Sequence, residues 1–157
     1  MNEAELLRRL SRIQERITLD GERPAKFSVS HRLSGNARIN PFTGSVCFAA
    51  DLSGASDAVL TNVVAHELGH REDLVYRGLS WAILLYLVGL LTVGIHHQDA
   101  AFVLAVPLGA TFLRFTFKHR EPRADANAVR RLKLVGSPVD YWQAEAEYQA
   151  LFGAGGK

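Results

Sequence analysis

Five consecutive residues, His66-Glu67-Leu68-Gly69-His70, have the residue types and spacing for metal-assisted hydrolysis. On a helix, positions four apart stand one above the other on a single face, so the two imidazoles can grip one zinc ion. Glu67 points to the side, where its carboxylate reaches a water at the metal and serves as general base. The motif alone lacks a third ligand, a substrate groove and a location. One known extension of it needs a glycine at position 73 and a histidine at position 76, but the chain has Asp73 and Tyr76 there. The third ligand is therefore expected further downstream.

A downstream candidate stands in the run Lys118-His119-Arg120-Glu121-Pro122-Arg123-Ala124-Asp125. Glu121 and Asp125 are four apart and share one helix face. A carboxylate completing a two-histidine, one-glutamate set leaves zinc an open position. A second carboxylate one turn on can orient a ligand histidine through its other ring nitrogen. Pro122 directly follows the proposed ligand, and a proline inside a helix removes a hydrogen bond and clashes one turn back. Glu121 is thus expected at a kink or a helix start, with His119 as the fallback ligand.

At 157 residues the chain is expected to form one modest domain, or a small domain with appendages. With 18 Lys+Arg against 16 Asp+Glu the net charge is +2, too balanced to argue for nucleic acid. Cys47 is the single cysteine, which excludes an intramolecular disulfide; within Val46-Cys47-Phe48 it reads as a small buried hydrophobe. No secretory signal is visible near the start. Residues 2–18 carry Leu6, Leu7, Leu10, Ile13 and Ile17 at helical spacing, with Asn2 as cap and Arg8, Arg9, Arg12 and Arg16 on the polar side. This reads as a packing helix, with a helix lying on an anionic membrane as the alternative.

Three strand-like runs follow, 26–31, 37–40 and 45–49, the last two joined by the tight turn Pro41-Phe42-Thr43-Gly44. They predict a small antiparallel sheet just before the motif helix, whose cap is Ser53 or Ser56. An exposed edge strand there can pair with an extended peptide. Near the end, Ser137 and Pro138 predict the cap and first turn of a last helix, with Tyr141, Ala144, Tyr148, Leu151 and Phe152 on its apolar side. Tyr148, Tyr141 and Arg130 are the candidates for stabilising a developing oxyanion.

Between motif and carboxylates lie two apolar runs, 79–95 and 100–117, the second broken by Pro107 and Arg114. The first spans roughly 26 Å as a helix, just short of a hydrocarbon core. With four polar residues between them, the runs predict a transmembrane helical hairpin over 79–117. Lys and Arg flank the hairpin and are absent from its loop, so both termini and the motif are expected on the cytoplasmic side of an integral-membrane protein, in the bacterial inner membrane. His96 and His97 then fall at the far interface.

A strand region beginning near Asn36-Ala37, HExxH on a helix, a hydrophobic hairpin and then Glu121-Pro-Arg-Ala124-Asp125 together resemble the HtpX heat-shock protease and CAAX prenyl protease family of membrane gluzincins. The resemblance covers roughly residues 34–128. It implies zinc ligands His66, His70 and Glu121, Glu67 as general base, Asp125 behind a ligand, and an edge strand from Asn36 and Ala37 for a polypeptide substrate. It departs from the family in having a single hairpin where HtpX-type enzymes carry additional membrane helices, and in the position of Pro122. The expected molecule is a mainly α, α+β zincin domain spanning 1–157 with the hairpin inserted. Its expected function is a one-zinc metalloendopeptidase acting on unfolded or membrane-associated proteins, with the lipid bilayer as a further partner. The competing readings are an inactive zinc- or peptide-binding membrane adaptor and a soluble minimal gluzincin.

Overall fold

The spacing of Leu6, Leu10, Ile13 and Ile17 makes one side of the first helix apolar, and all four are buried. The computed structural model describes residues 2–73, 78, 81–86, 88, 89 and 120–153. Helix α1 (Glu3–Ile17) opens with Asn2 Oδ1 accepting from the Glu5 amide at 2.9 Å. It is a packing helix: its apolar stripe lies in the same core as the strands and the motif helix. Arg9, on its polar side, reaches across to Asp57 at 2.5 Å and to the Ser53 and Ala55 carbonyl oxygens.

Strands β1 (Phe27–Ser30), β2 (Ala37–Ile39) and β3 (Val46–Ala49) form one sheet in the order β1-β3-β2. β2 and β3 make the expected hairpin, pairing Ala37 with Phe48 and Ile39 with Val46. Its turn is held by Asn40, whose side-chain oxygen accepts from the Phe42 and Thr43 amides, and Gly44 supplies the left-handed φ of 69°. The expectation of an all-antiparallel sheet is corrected by β1, which pairs parallel to β3, Phe27 with Val46 and Ser30 with Ala49. The hairpin occupies one edge of β3, so β1 takes the other, and residues 31–36 cross over to start β2 on the far side. β2 is left as an edge strand. Cys47, opposite Arg38 in β3, is half-buried rather than fully enclosed.

A short 3₁₀ turn (Ala50–Gly54) leads into α2 (Asp57–Glu72), where Ser56 is the cap, accepting from the Val59 amide at 3.2 Å. α2 is buried on most of its circumference, from Val59 through Ala65 and again at Leu68 and Gly69. Such a helix has no solvent side to spare; it is the centre on which α1, β2 and the two later helices pack. Helix α3 (Arg120–Leu134) presents Ala124, Ala128 and Leu132 to it. A Cβ at Gly69 would run into the Ala124 carbonyl, so the two helices touch backbone to backbone. α3 is described from Arg120, and Glu121, directly before Pro122, lies beside both motif histidines. α3 closes on Gly136 at φ 63°, with the Gly136 amide on the Lys133 carbonyl and the Ser137 amide on Leu132. Helix α4 (Tyr141–Phe152) is capped by Asp140, not by Ser137, because the Ser137 hydroxyl is taken by the Val139 amide.

The expected transmembrane hairpin is not upheld, and the integral-membrane, cytoplasmic-face location falls with it. Among the described residues no helix is long and apolar enough to cross a membrane. His96, His97, His119 and the rest of 79–117 apart from 81–86, 88 and 89 lie outside the described residues.

One buried cation ties the layers together. Arg131, whose side chain is fully buried, donates to Glu22 at 2.6 and 3.0 Å, to Glu72 at 2.5 and 2.9 Å and to the Ile17 carbonyl at 3.0 Å. It joins α3 to the end of α2, the end of α1 and the loop after it. Burial alone would push the Glu22 carboxyl up. The Arg131 hydrogen bonds and charge, with the Leu19 amide and Arg71, outweigh it and hold the carboxyl below its ordinary value of 4.5. A carboxyl lowered in the fold contributes stability above its unfolded value and loses it as pH falls through the folded one. Glu22→Gln should therefore cost about 1.5–3 kcal/mol in urea unfolding at neutral pH. The gap to wild type should shrink as pH is lowered past 4.5; a gap that widened on acidification would refute the assignment. Gly69→Ala should force α3 outward at a cost of about 1–3 kcal/mol and weaken metal binding with it, read by unfolding and by metal titration on the same protein.

Candidate metal centre

The contact of Gly69 with Ala124 sets two polar faces against each other, the histidines of α2 and the carboxylates of α3. Asn127 secures the spacing by donating to the Gly69 carbonyl at 3.0 Å, one of the α2 carbonyls that the helix end leaves without an intrahelical partner. The His66 and His70 rings lie 4.7 Å apart at 85°. Glu121 Oε2 sits 3.2 Å from His66 Nε2 and 3.6 Å from His70 Nε2. Ligand atoms held about 2.0–2.1 Å from one tetrahedral metal stand about 3.3 Å from each other, so these separations are those of a tetrahedron's edges. His66, Glu67 and His70 each offer a ligand atom, all within 4.8 Å of one another, and the group could hold a metal ion. The donor set of two imidazoles and a carboxylate fits such an ion.

Behind His66 a second layer fixes its orientation. Asp125 Oδ1 lies 2.9 Å from His66 Nδ1, and the Tyr141 hydroxyl donates to the same Oδ1 at 2.6 Å while sitting 3.0 Å from Nδ1. Burial and the Asp125 carboxylate push the Tyr141 pKa far up, so its hydroxyl remains a donor. Asp125 then accepts from both, one His66 proton is held on Nδ1, and Nε2 is turned toward Glu121, to which it donates and where a metal would replace its proton. His70 differs: Arg120 Nε donates to its Nδ1 at 3.3 Å, which puts the His70 proton on Nε2, where a metal would replace it.

The charges answer one another. Burial alone would lower the His66 pKa, but the Glu121 hydrogen bond and the charges of Glu67, Glu121 and Asp125 raise it. Hydrogen bonds to the two histidines hold Glu121 far below the usual carboxylate range. Glu67 is the exception: burial pushes its carboxyl up, against the pull of His70, His66 and Arg120. It is 6% exposed, and among the described residues its Oε2 has no hydrogen-bond partner. An unpaired buried oxygen of this kind is costly.

The residues expected from sequence sort into three groups. His66, Glu67, His70, Glu121 and Asp125 are brought together. Asn36 and Ala37 line a cleft of about 560 Å³ that opens onto the histidines, with β2 as one wall. Of the three oxyanion candidates only Tyr148 lines this cleft, with its hydroxyl on the Gly35 carbonyl; Tyr141 is committed to Asp125, and Arg130 is exposed on α3 away from it. Sequence reasoning missed Arg120, Asn62 and Glu145, which also line the cleft. Asn62 stands four before His66, so the helical arithmetic that paired the histidines would have found it.

Among known proteins, the chain matches no family model, no curated protein and no solved structure. Its chemistry is therefore read from this geometry. Asp125→Asn should weaken binding of zinc, used as the test ion, by about 10–100-fold in a chelator competition, and Tyr141→Phe should weaken it by less. Arg130→Ala should leave it unchanged; equal losses in all three would show a general effect on folding instead.

Proposed function

We propose that this protein is a zinc-dependent metalloendopeptidase of the gluzincin type, hydrolysing peptide bonds of polypeptides, as its likeness to the HtpX and CAAX protease family implies. The observation that carries the reading is the buried Glu67 Oε2, unpartnered among the described residues, beside the convergence of His66, His70 and Glu121. Two imidazoles and one carboxylate are a donor set suited to catalytic zinc, with a position left open. His66, His70 and Glu121 would hold the ion, which supplies Lewis acidity to the scissile carbonyl and to water.

The chain's own groups do the remaining work. Asp125 and Tyr141 keep His66 Nε2 facing the centre. Glu67 accepts a proton from the attacking water at its carboxylate and delivers it to the departing amine nitrogen. Its raised pKa suits a group that must both take and give a proton. β2, an edge strand along the cleft, has backbone groups able to align an extended peptide, which favours polypeptide over a compact small molecule. Tyr148 lines the cleft, and burial with the nearby carboxylates keeps its hydroxyl protonated; that hydroxyl donates to the Gly35 carbonyl, so serving a developing oxyanion requires it to leave that bond.

Glu67→Gln should keep stoichiometric zinc and lose casein hydrolysis by at least about 10²-fold. Full proteolysis by a clean, zinc-loaded Glu67→Gln preparation would sink the mechanism. Zinc binding with no turnover by wild type would leave a peptide-binding adaptor.

A further inference from the structure

Beyond the metal ligands, the cleft wall facing β2 is built from α2 and α4. Glu145 on α4 lines it, with Oε2 accepting from Asn62 Nδ2 at 2.8 Å and Oε1 accepting from Gln149 Nε2 at 2.7 Å. Both donors are neutral amides. Among the described residues, no ion pair joins Glu145 to a lysine, arginine or histidine. A carboxylate in a concave wall with only neutral partners keeps its attraction for a cation. A second observation stands beside it. Asn62 lines the same wall, is 1% exposed, and among the described residues its Oδ1 has no hydrogen-bond partner. The Asn62 amide is itself buried, and its bond to Glu145 holds that carboxylate in the wall. A carboxylate fixed in a cleft wall by neutral amides calls for a ligand that donates hydrogen bonds and carries positive charge.

The distance to the metal centre selects which ligand. Asn62 is one helical turn before His66, about 6 Å along α2. Successive peptide residues are spaced about 3.3–3.6 Å, and a lysine or arginine side chain extends about two such steps. A residue next to the bond held at the centre therefore reaches Glu145 with its cationic tip while its apolar stem lies along Val63. The cations already in the cleft do not fill this position: Arg120 is on His70, two turns from Asn62, and Arg38 is an exposed residue of β2.

We infer that Asn62 and Glu145 form a subsite for a basic side chain, so that the protein prefers polypeptides carrying lysine or arginine beside the scissile bond. This rests on the peptidase reading. The test compares two unstructured decapeptides, identical except for a central lysine in one and uncharged norleucine in the other. The zinc-loaded wild type should hydrolyse the lysine peptide with kcat/KM at least about tenfold higher, the range a charged hydrogen bond supplies. Glu145→Gln, which removes the charge and keeps an oxygen for Asn62, should bring that ratio to within about twofold of one. An equal preference in wild type, or one that survives Glu145→Gln, overturns the subsite while leaving the peptidase standing. If wild type cleaves neither peptide, the peptidase reading fails, and calorimetric binding decides the subsite independently. Zinc-loaded Glu67→Gln should bind the lysine peptide at least about fivefold more tightly than the norleucine one, and Glu67→Gln/Glu145→Gln should bind both alike. Equal binding in the single variant overturns the inference.

Discussion

Everything at the centre depends on how closely α2 and α3 approach. At Gly69 a helix without a side chain meets the main chain of its neighbour at Ala124, and one methyl group more would collide with a carbonyl. Only at that separation do imidazoles from one helix and short carboxylates from the other come within bonding distance. Packed interiors respond to a methylene's worth of displacement, and a ligand set tolerates still less. The glycine in the motif is thus a distance gauge between the two helices that supply the centre.

The same helix pair carries an electrostatic conflict, met differently at its two ends. At one end Arg131 is buried with two carboxylates and a backbone carbonyl, so its donors are well supplied. At the other, Glu67, Glu121 and Asp125 crowd two histidines and leave one carboxylate oxygen unanswered among the described residues. A fold usually relieves such crowding by exposure or by pairing. Here the histidines turn toward the carboxylates, Glu67 is left over, and the saturated end at Arg131 anchors the strained one. Buried ion pairs add little stability in themselves, but removing one partner is costly, which makes them good locks.

Much of this was legible in the chain because it follows from period alone. The four-residue spacings of His66 with His70 and of Glu121 with Asp125 put each pair on one face, and the apolar repeat of residues 6–17 gave α1. The hairpin turn at 41–44 was readable from its residue types. What could not be read was which edge β1 would take, since parallel and antiparallel pairing bury the same alternating residues. The last helix's cap shifted from Ser137 to Asp140 because the preceding helix's closure and a Ser137 turn claimed the first choice. Glu145 stood unnoticed among polar residues of α4, where a charge ordinarily means a solvated face. Apolar runs, read by hydropathy as membrane spans, found no counterpart among the described helices.

The two halves of the centre lie far apart along the chain: His66 and Glu121 are 55 positions from each other. They are joined in space by the α2–α3 contact at Gly69 and Ala124 and, further along, by Arg131 with Glu72. The entropy of closing a loop grows only with the logarithm of its length, about 0.6 kcal/mol for each doubling. Bringing Glu121 to the histidines from so far along the chain therefore costs little more than from half the distance, and what the fold must supply is the close helix contact rather than a short connection.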